Sequence, residues 1–285
     1  MTGLEGVAGD PPPAFLDARA VLRRHGLRPD HRLGQNFLTD PGALERVVEA
    51  AELDPHDTVL EIGAGIGTLT SRLAREGRRI VAVELDRRLI EPLLEGVRSF
   101  PGVQVVQADV LKLDLAALMQ GVPFRVVANI PYQITSHLLR RLMEMPDGPD
   151  RVVLTLQAEV VERVVADAGE MSLLALSVQV YGRARRMARI PAGAFFPAPE
   201  VDSAVLRIDR HLRPAVAPEL IPAFFRVARA GFQQRRKQLH NALSAGLGLG
   251  PGEVAAMLER AAVRPDARAQ ELALADWERL ARQLG

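Results

Sequence analysis

Short apolar runs and helix-like segments alternate along the first two thirds of the chain. TVLEI (58–62), RRIVAVE (78–84), VQVVQAD (103–109), FRVVANI (124–130) and RVVLTLQ (151–157) are too short for helices and too evenly apolar for strands with one wet face. Between them lie segments such as GALERVVEAAEL (42–53), where Leu44, Val47, Val48 and Ala51 share one helix face. Pro92 interrupts another of these segments and obscures its boundaries. Apolar strands alternating with helices predict an α/β fold with a parallel sheet covered on both faces. The pattern changes after about residue 210. PELIPAFFRVARAGF, RRKQLHNALSAGL, GEVAAMLERAAV and LADWERLARQL predict four helices joined by Gly/Pro breaks, a smaller all-helical domain over 212–285. Residues 1–13 are rich in Gly and Pro, so 1–15 is expected to be a loose extension ahead of a main domain over 16–211.

In such sheets ligands bind beyond the carboxyl ends of the strands. Glu61, Glu84, Asp109 and Asn129 are the polar tips that gather there. EIGAGIG (61–67) follows the first strand, with Gly63, Gly65 and Gly67 letting a ligand approach the backbone. Thr68 stands where a dinucleotide fingerprint has Gly or Ala. Glu84, at the next tip, suits the two hydroxyls of a ribose, and Asp109 suits an adenine amino group. Together these tips point to an adenosine-bearing cofactor, with NAD and S-adenosyl-L-methionine both open.

The fourth tip, Asn129-Ile130-Pro131-Tyr132, offers no proton donor or acceptor with a pKa suited to hydride chemistry. It does offer an amide oxygen and a backbone carbonyl near Ile130 to accept the two N–H bonds of an exocyclic amine. Pro131 stiffens the turn. Tyr132, one of two tyrosines in the chain, gives a base a flat face. Methyl transfer to a neutral amine needs mainly such orientation, which can contribute on the order of 7–11 kcal/mol.

Composition removes other chemistries. The chain of 285 residues has no cysteine, which excludes disulfides, thiolate metal sites and a Cys nucleophile. Its six histidines are scattered without metal-ligand spacing, so no metal is expected. No apolar run reaches the ~18 residues of a membrane span, and the N-terminus lacks the pattern of a secretory signal; a cytoplasmic protein is expected. Net charge is +1, yet it is segregated. Between Leu220 and Gly252 there is no acid, while Arg226, Arg229, Arg235, Arg236 and Lys237 are all basic. GRARRMAR (182–189) adds Arg183, Arg185, Arg186 and Arg189. Such clusters are commonly solvated helix faces or complements of acids elsewhere; two of them beside a base-stacking residue favour RNA.

HGLRPDHRLGQNFLTD (25–40), LEIGAGIGTLT (60–70), VAVELD (81–86), ADVLKLD (108–114), NIPY (129–132), FFPAPEVDSAV (195–205) and FQQRRKQLHNAL (232–243) fall in one order. With these motifs the chain resembles the S-adenosylmethionine-dependent rRNA adenine N6,N6-dimethyltransferases, over roughly residues 16–285. The entering segment, the FQQRRKQLHNAL helix and RAQELALADWERL resemble the small-subunit branch more than the large-subunit erythromycin-resistance methylases. The resemblance implies a Rossmann-like methyltransferase domain and a cofactor site of Asn36, Leu38, Gly63, Gly65, Glu84, Asp109 and Asn129. It implies that Tyr132 and Phe195 sandwich the target adenine. It further implies dimethylation of two adjacent adenines near the 3′ end of 16S rRNA, with S-adenosylhomocysteine as product. The expected partner is a small-subunit assembly intermediate, held by Arg183, Arg185, Arg186, Arg229, Arg235, Arg236 and Lys237, with the enzyme a monomer. A large-subunit methylase and a non-catalytic assembly factor are the alternatives. The sequence departs from the family at MSLLALSV (171–178), where Leu173-Leu174 stands in place of the Tyr-Gly pair that commonly precedes a Leu-Ser/Thr-Val strand, at Ala198, where proline is frequent, and at Glu200, where a basic residue is.

Overall fold

The apolar runs pair side by side as their alternation with helices predicts. The computed structural model describes residues 16–75, 79–234 and 237–284, so the expectation for 1–15 lies outside the described residues. Helix α1 (Ala18–Arg24), strand β1 (Phe37–Leu38) and helix α2 (Pro41–Ala51) come first. Strands and helices then alternate: β2 (Thr58–Ile62), α3 (Thr68–Ala74), β3 (Arg79–Glu84), α4 (Ile90–Val97), β4 (Val103–Gln107), α5 (Leu115–Met119), β5 (Phe124–Asn129), α6 (Thr135–Glu144) and β6 (Arg151–Gln157). Pro92 falls in the first turn of α4, where a missing N–H is tolerated. Helices α7 (Ala158–Val165) and α8 (Leu173–Gln179) precede β7 (Gly182–Ile190), β8 (Phe195–Phe196) and β9 (Ser203–Arg210). The chain ends in α9 (Ile221–Phe232), α10 (Leu239–Leu247), α11 (Pro251–Arg260) and α12 (Leu274–Ala281), the four helices expected.

The seven-stranded sheet has the order β4-β3-β2-β5-β6-β9-β7, and β2 to β6 pair in parallel. The chain runs outward from β2 through β3 to β4, then returns to β5 on the other side of β2. That reversal leaves a crevice at the carboxyl ends of β2 and β5, where open α/β sheets bind ligands. Both alternating sets of strand residues are buried. Val59, Ile80, Ala82, Val127 and Val153 pack with Leu44 and Val47 of α2, Leu73 of α3 and Leu93 of α4. Leu60, Val81, Val126 and Val152, of the opposite parity, are equally inaccessible.

Charge fixes the amino ends of β5 and β6. Arg125 and Arg151, which begin or nearly begin these strands, donate to the carbonyl of Ala51 at the end of α2, at 3.3 and 2.9 Å. Buried Arg207 reaches the carbonyl of Ala50 (3.3 Å) and the carboxylate of Glu52 (2.6 Å). Three guanidinium groups thus meet the negative end of the α2 dipole.

By internal contact the chain forms two units. The first runs to Thr135 and adds Asp147–Gln157 and Met187–Arg207; the second comprises Ser136–Pro146, Ala158–Arg186 and Ile208–Gly285. The sequence pattern alone puts the division at 211/212. The packing draws the middle helices in with the C-terminal ones, because Ala175, Leu176 and Val180 share a core with Phe224, Val227, Leu239 and Trp277. MSLLALSV is not a strand in this chain. Ser172 accepts the Ala175 N–H (3.0 Å) and caps helix α8.

Trp277 is fully buried and stacks on Phe232, with ring centroids 5.3 Å apart. A methyl group at Gly231 would stand 2.5 Å from its Cη2. Gly231→Ala is therefore expected to lower stability by about 1–3 kcal/mol. Trp277 is the only tryptophan, so urea unfolding followed by its fluorescence measures the change directly.

Candidate active site

Register places the polar tips on one side of the sheet. Glu61 is paired with Ala82 on one side and Val127 on the other, and Glu84 and Asn129 lie two residues beyond those partners. Because side chains alternate along a strand, all three project from the same face. They line one cavity, together with Asn36, Leu38, Gly63, Gly65 and Asp109. Every residue expected to hold the cofactor is brought there. Ile130 and Pro131 also line it, while the side chain of Tyr132 lies outside what the structure describes.

Glycine is required where the loop after β2 turns back. Gly63 has φ +73°, and a Cβ there would sit 3.4 Å from the Asn129 carbonyl oxygen. Gly65 has φ +60°, and its missing side chain leaves room for the Phe37 ring, 3.1 Å from where a Cβ would be. The turn presents the Gly65 N–H to one carboxyl oxygen of Glu84 (2.7 Å), and the Asp86 N–H binds the other (2.7 Å). Glu84 is thereby held rigidly while remaining in the cavity wall. Burial pushes its carboxyl above the usual range, and the N–H groups of Asp86, Gly65 and Leu85 oppose that shift. Asp109 accepts the Leu111 N–H (3.0 Å) and stands 3.6 Å from the Lys112 ammonium.

Asn129 and Glu61 are more unusual. The Asn129 amide Nδ2 donates to the backbone carbonyl of Asn36 at 2.9 Å. This occupies one of the two amide N–H donors and fixes which end is nitrogen, so that Oδ1 is the acceptor Asn129 can offer a ligand N–H. Glu61 is 1% exposed, and its Oε2 has no hydrogen-bond partner among the described residues. Burial pushes its carboxyl up to about 8, and the negative charge of Glu84 adds to this. The Thr70 hydroxyl beside it draws the value down somewhat without being aligned for a hydrogen bond.

Residues 27–284 match the family model described as Ribosomal RNA adenine dimethylase. The chain belongs to this family. It is 39% identical over 270 residues to the ribosomal RNA small subunit methyltransferase A of Dehalococcoides mccartyi, covering 94% of this chain and 93% of that protein. It is 29% identical to the 23S rRNA methyltransferase ErmE in its crystal structure, with a TM-score of 0.71 and coverage of 87% and 99%. A dimethyladenosine transferase from Plasmodium falciparum shares the fold at 24% identity, with a TM-score of 0.74 and coverage of 86% and 95%.

Other residues that the family resemblance singled out lie elsewhere. Phe195 pairs with Leu38 across β1 and β8 and is 4% exposed, packed among Leu38, Val127 and Val205. It is not among the residues that line the cavity. Its neighbour Phe196 is half-buried against the cluster of Ala18, Val21, Leu22 and Phe37, with the Arg19 guanidinium 4.7 Å above its ring. GRARRMAR is the strand β7, and three of its arginines are paired: Arg185 with Asp209, Arg186 with Glu162, and Arg189 with Asp202 at 2.9 Å. Arg183 is exposed, as are Arg229 on α9 and Lys237 after it. Arg235 and Arg236 lie outside the described residues. Away from the cavity, His25, Glu91 and Glu95 bring three potential metal ligands within 4.8 Å of one another, with the Arg24 guanidinium 2.8 Å from Glu95.

The state of Glu61 has a pH signature. Its carboxyl is raised above the ordinary value of 4.5, so between about 4.5 and 8 the folded chain holds a proton that the unfolded chain has lost. Its contribution to stability is greatest below pH 4.5 and declines as pH rises toward 8. Glu61→Gln mimics the protonated form. Wild type and variant are expected to unfold at similar urea concentrations near pH 5. By pH 8.5 the variant should be the more stable, by a few kcal/mol.

Proposed function

We propose that this chain transfers methyl groups from S-adenosyl-L-methionine to N6 of adenines in small-subunit ribosomal RNA, forming N6,N6-dimethyladenosine during subunit assembly. The observation that carries the reading is the Asn129 amide, which lines the cavity with its nitrogen held by the Asn36 carbonyl. An acceptor fixed in this way suits an amino group rather than a keto oxygen.

The cavity also fits the cofactor. S-adenosylmethionine carries a sulfonium and an ammonium, and the buried Glu61 carboxyl with its unpartnered oxygen suits a cationic ligand. Glu84 and Asp109 supply acceptors for ribose hydroxyls and an adenine amino group. Gly63 and Gly65 allow close approach to the backbone, and Asn36 and Leu38 close the wall. When bound, the cofactor supplies an electrophilic methyl group.

The chain's own part is orientation. Asn129 Oδ1 and the Ile130 carbonyl accept the two N–H bonds of the target amine and turn its lone pair toward the cofactor side. Pro131 holds that turn, and Tyr132 is the stacking face. After one methyl the amine keeps one N–H, so one acceptor still positions it for the second. No strong base is needed, because the methylated amine is acidic enough to lose its proton to water. The flipped adenine must leave its stack, at a cost of a few kcal/mol. Exposed Arg229 and Lys237, with Arg183, Arg185, Arg186, Arg235 and Arg236, are assigned to phosphate contacts in a small-subunit intermediate. Segment 212–285 is assigned to ribosome docking, and the enzyme is expected to act as a cytoplasmic monomer without a metal. No helix among the described residues is long and apolar enough to cross a membrane.

The likeness to ErmE sustains a second address, large-subunit RNA, although identity is higher to the small-subunit relative. Labelled S-adenosylmethionine offered with undermethylated small subunits and, separately, with protein-free large-subunit RNA distinguishes the two. Mass spectrometry should find dimethyladenosine in the small-subunit sample alone; label only in large-subunit RNA overturns the assignment. Asn129→Ala should lower turnover at least about 10²–10³-fold, with affinity for the small subunit nearly unchanged.

A further inference from the structure

Gln35 is a neutral side chain in the cavity wall, set within a network of charged groups. Its Nε2 donates to Asp86 Oδ2 at 2.8 Å, and its Oε1 accepts the Asp30 N–H at 2.8 Å. Asp86 is itself tied to the cofactor wall, since its N–H binds Glu84 Oε1. Arg88 holds the Asp86 carboxylate at 2.6 Å and reaches Asp30 at 3.7 Å. The residue after Gln35 is Asn36, whose carbonyl orients the Asn129 amide. Just before it, Gly34 (φ +63°) presses against the turn that follows β5; a Cβ there would stand 2.5 Å from Gln133 Oε1 and 3.1 Å from Pro131 Cβ.

Residues 34–36 therefore form a short strut between two strand tips. One end is pinned through Gln35 to the segment after Glu84, and the other orients the acceptor at Asn129. We propose that Gln35 is a positioning residue: by anchoring this strut to Asp86 it fixes the Asn36 carbonyl, and through it the amide oxygen that receives the target amine. This rests on the reading of Asn129 as that acceptor.

The chemistry of Gln is specific to the task. It must donate to a carboxylate and accept from an N–H at the same reach. Methionine has the length but lacks both functions. Glutamate keeps the acceptor but sets a second carboxylate against Asp86. Exchanging partners restores the bond in reverse: in Gln35→Glu with Asp86→Asn, the new amide donates to the new carboxylate, which still accepts from the Asp30 N–H.

The test measures steady-state methylation of undermethylated small subunits, with melting temperature and cofactor KM followed in parallel. Gln35→Met and Gln35→Glu should lower kcat about ten- to a hundredfold, with a smaller change in cofactor KM and little change in melting temperature. The exchanged pair should recover to within about threefold of wild type. Wild-type kcat in Gln35→Met, or an exchanged pair as impaired as Gln35→Glu, overturns the proposal. Failure of the underlying reading looks different: wild type then methylates no adenine, or Asn129→Ala turns over normally.

Discussion

Two carboxylates buried at the ends of adjacent parallel strands set the terms for the rest of this molecule. Glu61 and Glu84 project from one face of the sheet into one cavity, at 1% and 6% exposure. Burying two like charges together is expensive unless something compensates. Glu84 is compensated by two backbone N–H groups, which requires the glycine turn to bend where it does. Glu61 is compensated less, and its raised pKa shows the deficit. A site built this way favours a ligand that brings positive charge and hydroxyl donors with it.

The substrate side follows a different logic. Asn129 carries no charge, and its usefulness lies in which end of the amide faces the cavity. That choice is made by Asn36, in a segment that crosses over the crevice and is held by β1–β8 pairing, by Gln35 and by the fit of Gly34 against the next turn. Meanwhile the arginines at the other end of the strands hold α2 and the sheet together. Strand ends rigid at one edge and functional at the other are what a reaction governed by orientation requires.

Much of this was legible along the chain because burial on both faces leaves an unmistakable apolar run. The strand at 124–130 ends at Asn129 in the structure. The polar tips converge because parallel strands put all their carboxyl ends on one edge. What stayed hidden depends on partners distant in sequence. β7 is masked by its arginines, whose acids are supplied by α7, β9 and the segment before β9. Nothing local says that Phe195 packs with the sheet while Phe196 packs beside Phe37 and α1. The orientation of Asn129 is set 93 residues away. Internal contact divides the units differently from the sequence pattern for a similar reason, since only packing shows α8 sharing a core with α9.

The buried carboxylates suit this cavity to a cationic nucleoside. The most direct measurement is calorimetry of S-adenosylmethionine binding at pH 7 in two buffers of different ionisation enthalpy. With Glu61 raised to about 8, most of the free protein holds the proton, and a cation bound beside it should expel it. Binding should release close to one proton per cofactor, an effect lost in Glu61→Gln, which should also bind more weakly. Identical heats in both buffers, with the variant binding as tightly as wild type, would contradict it.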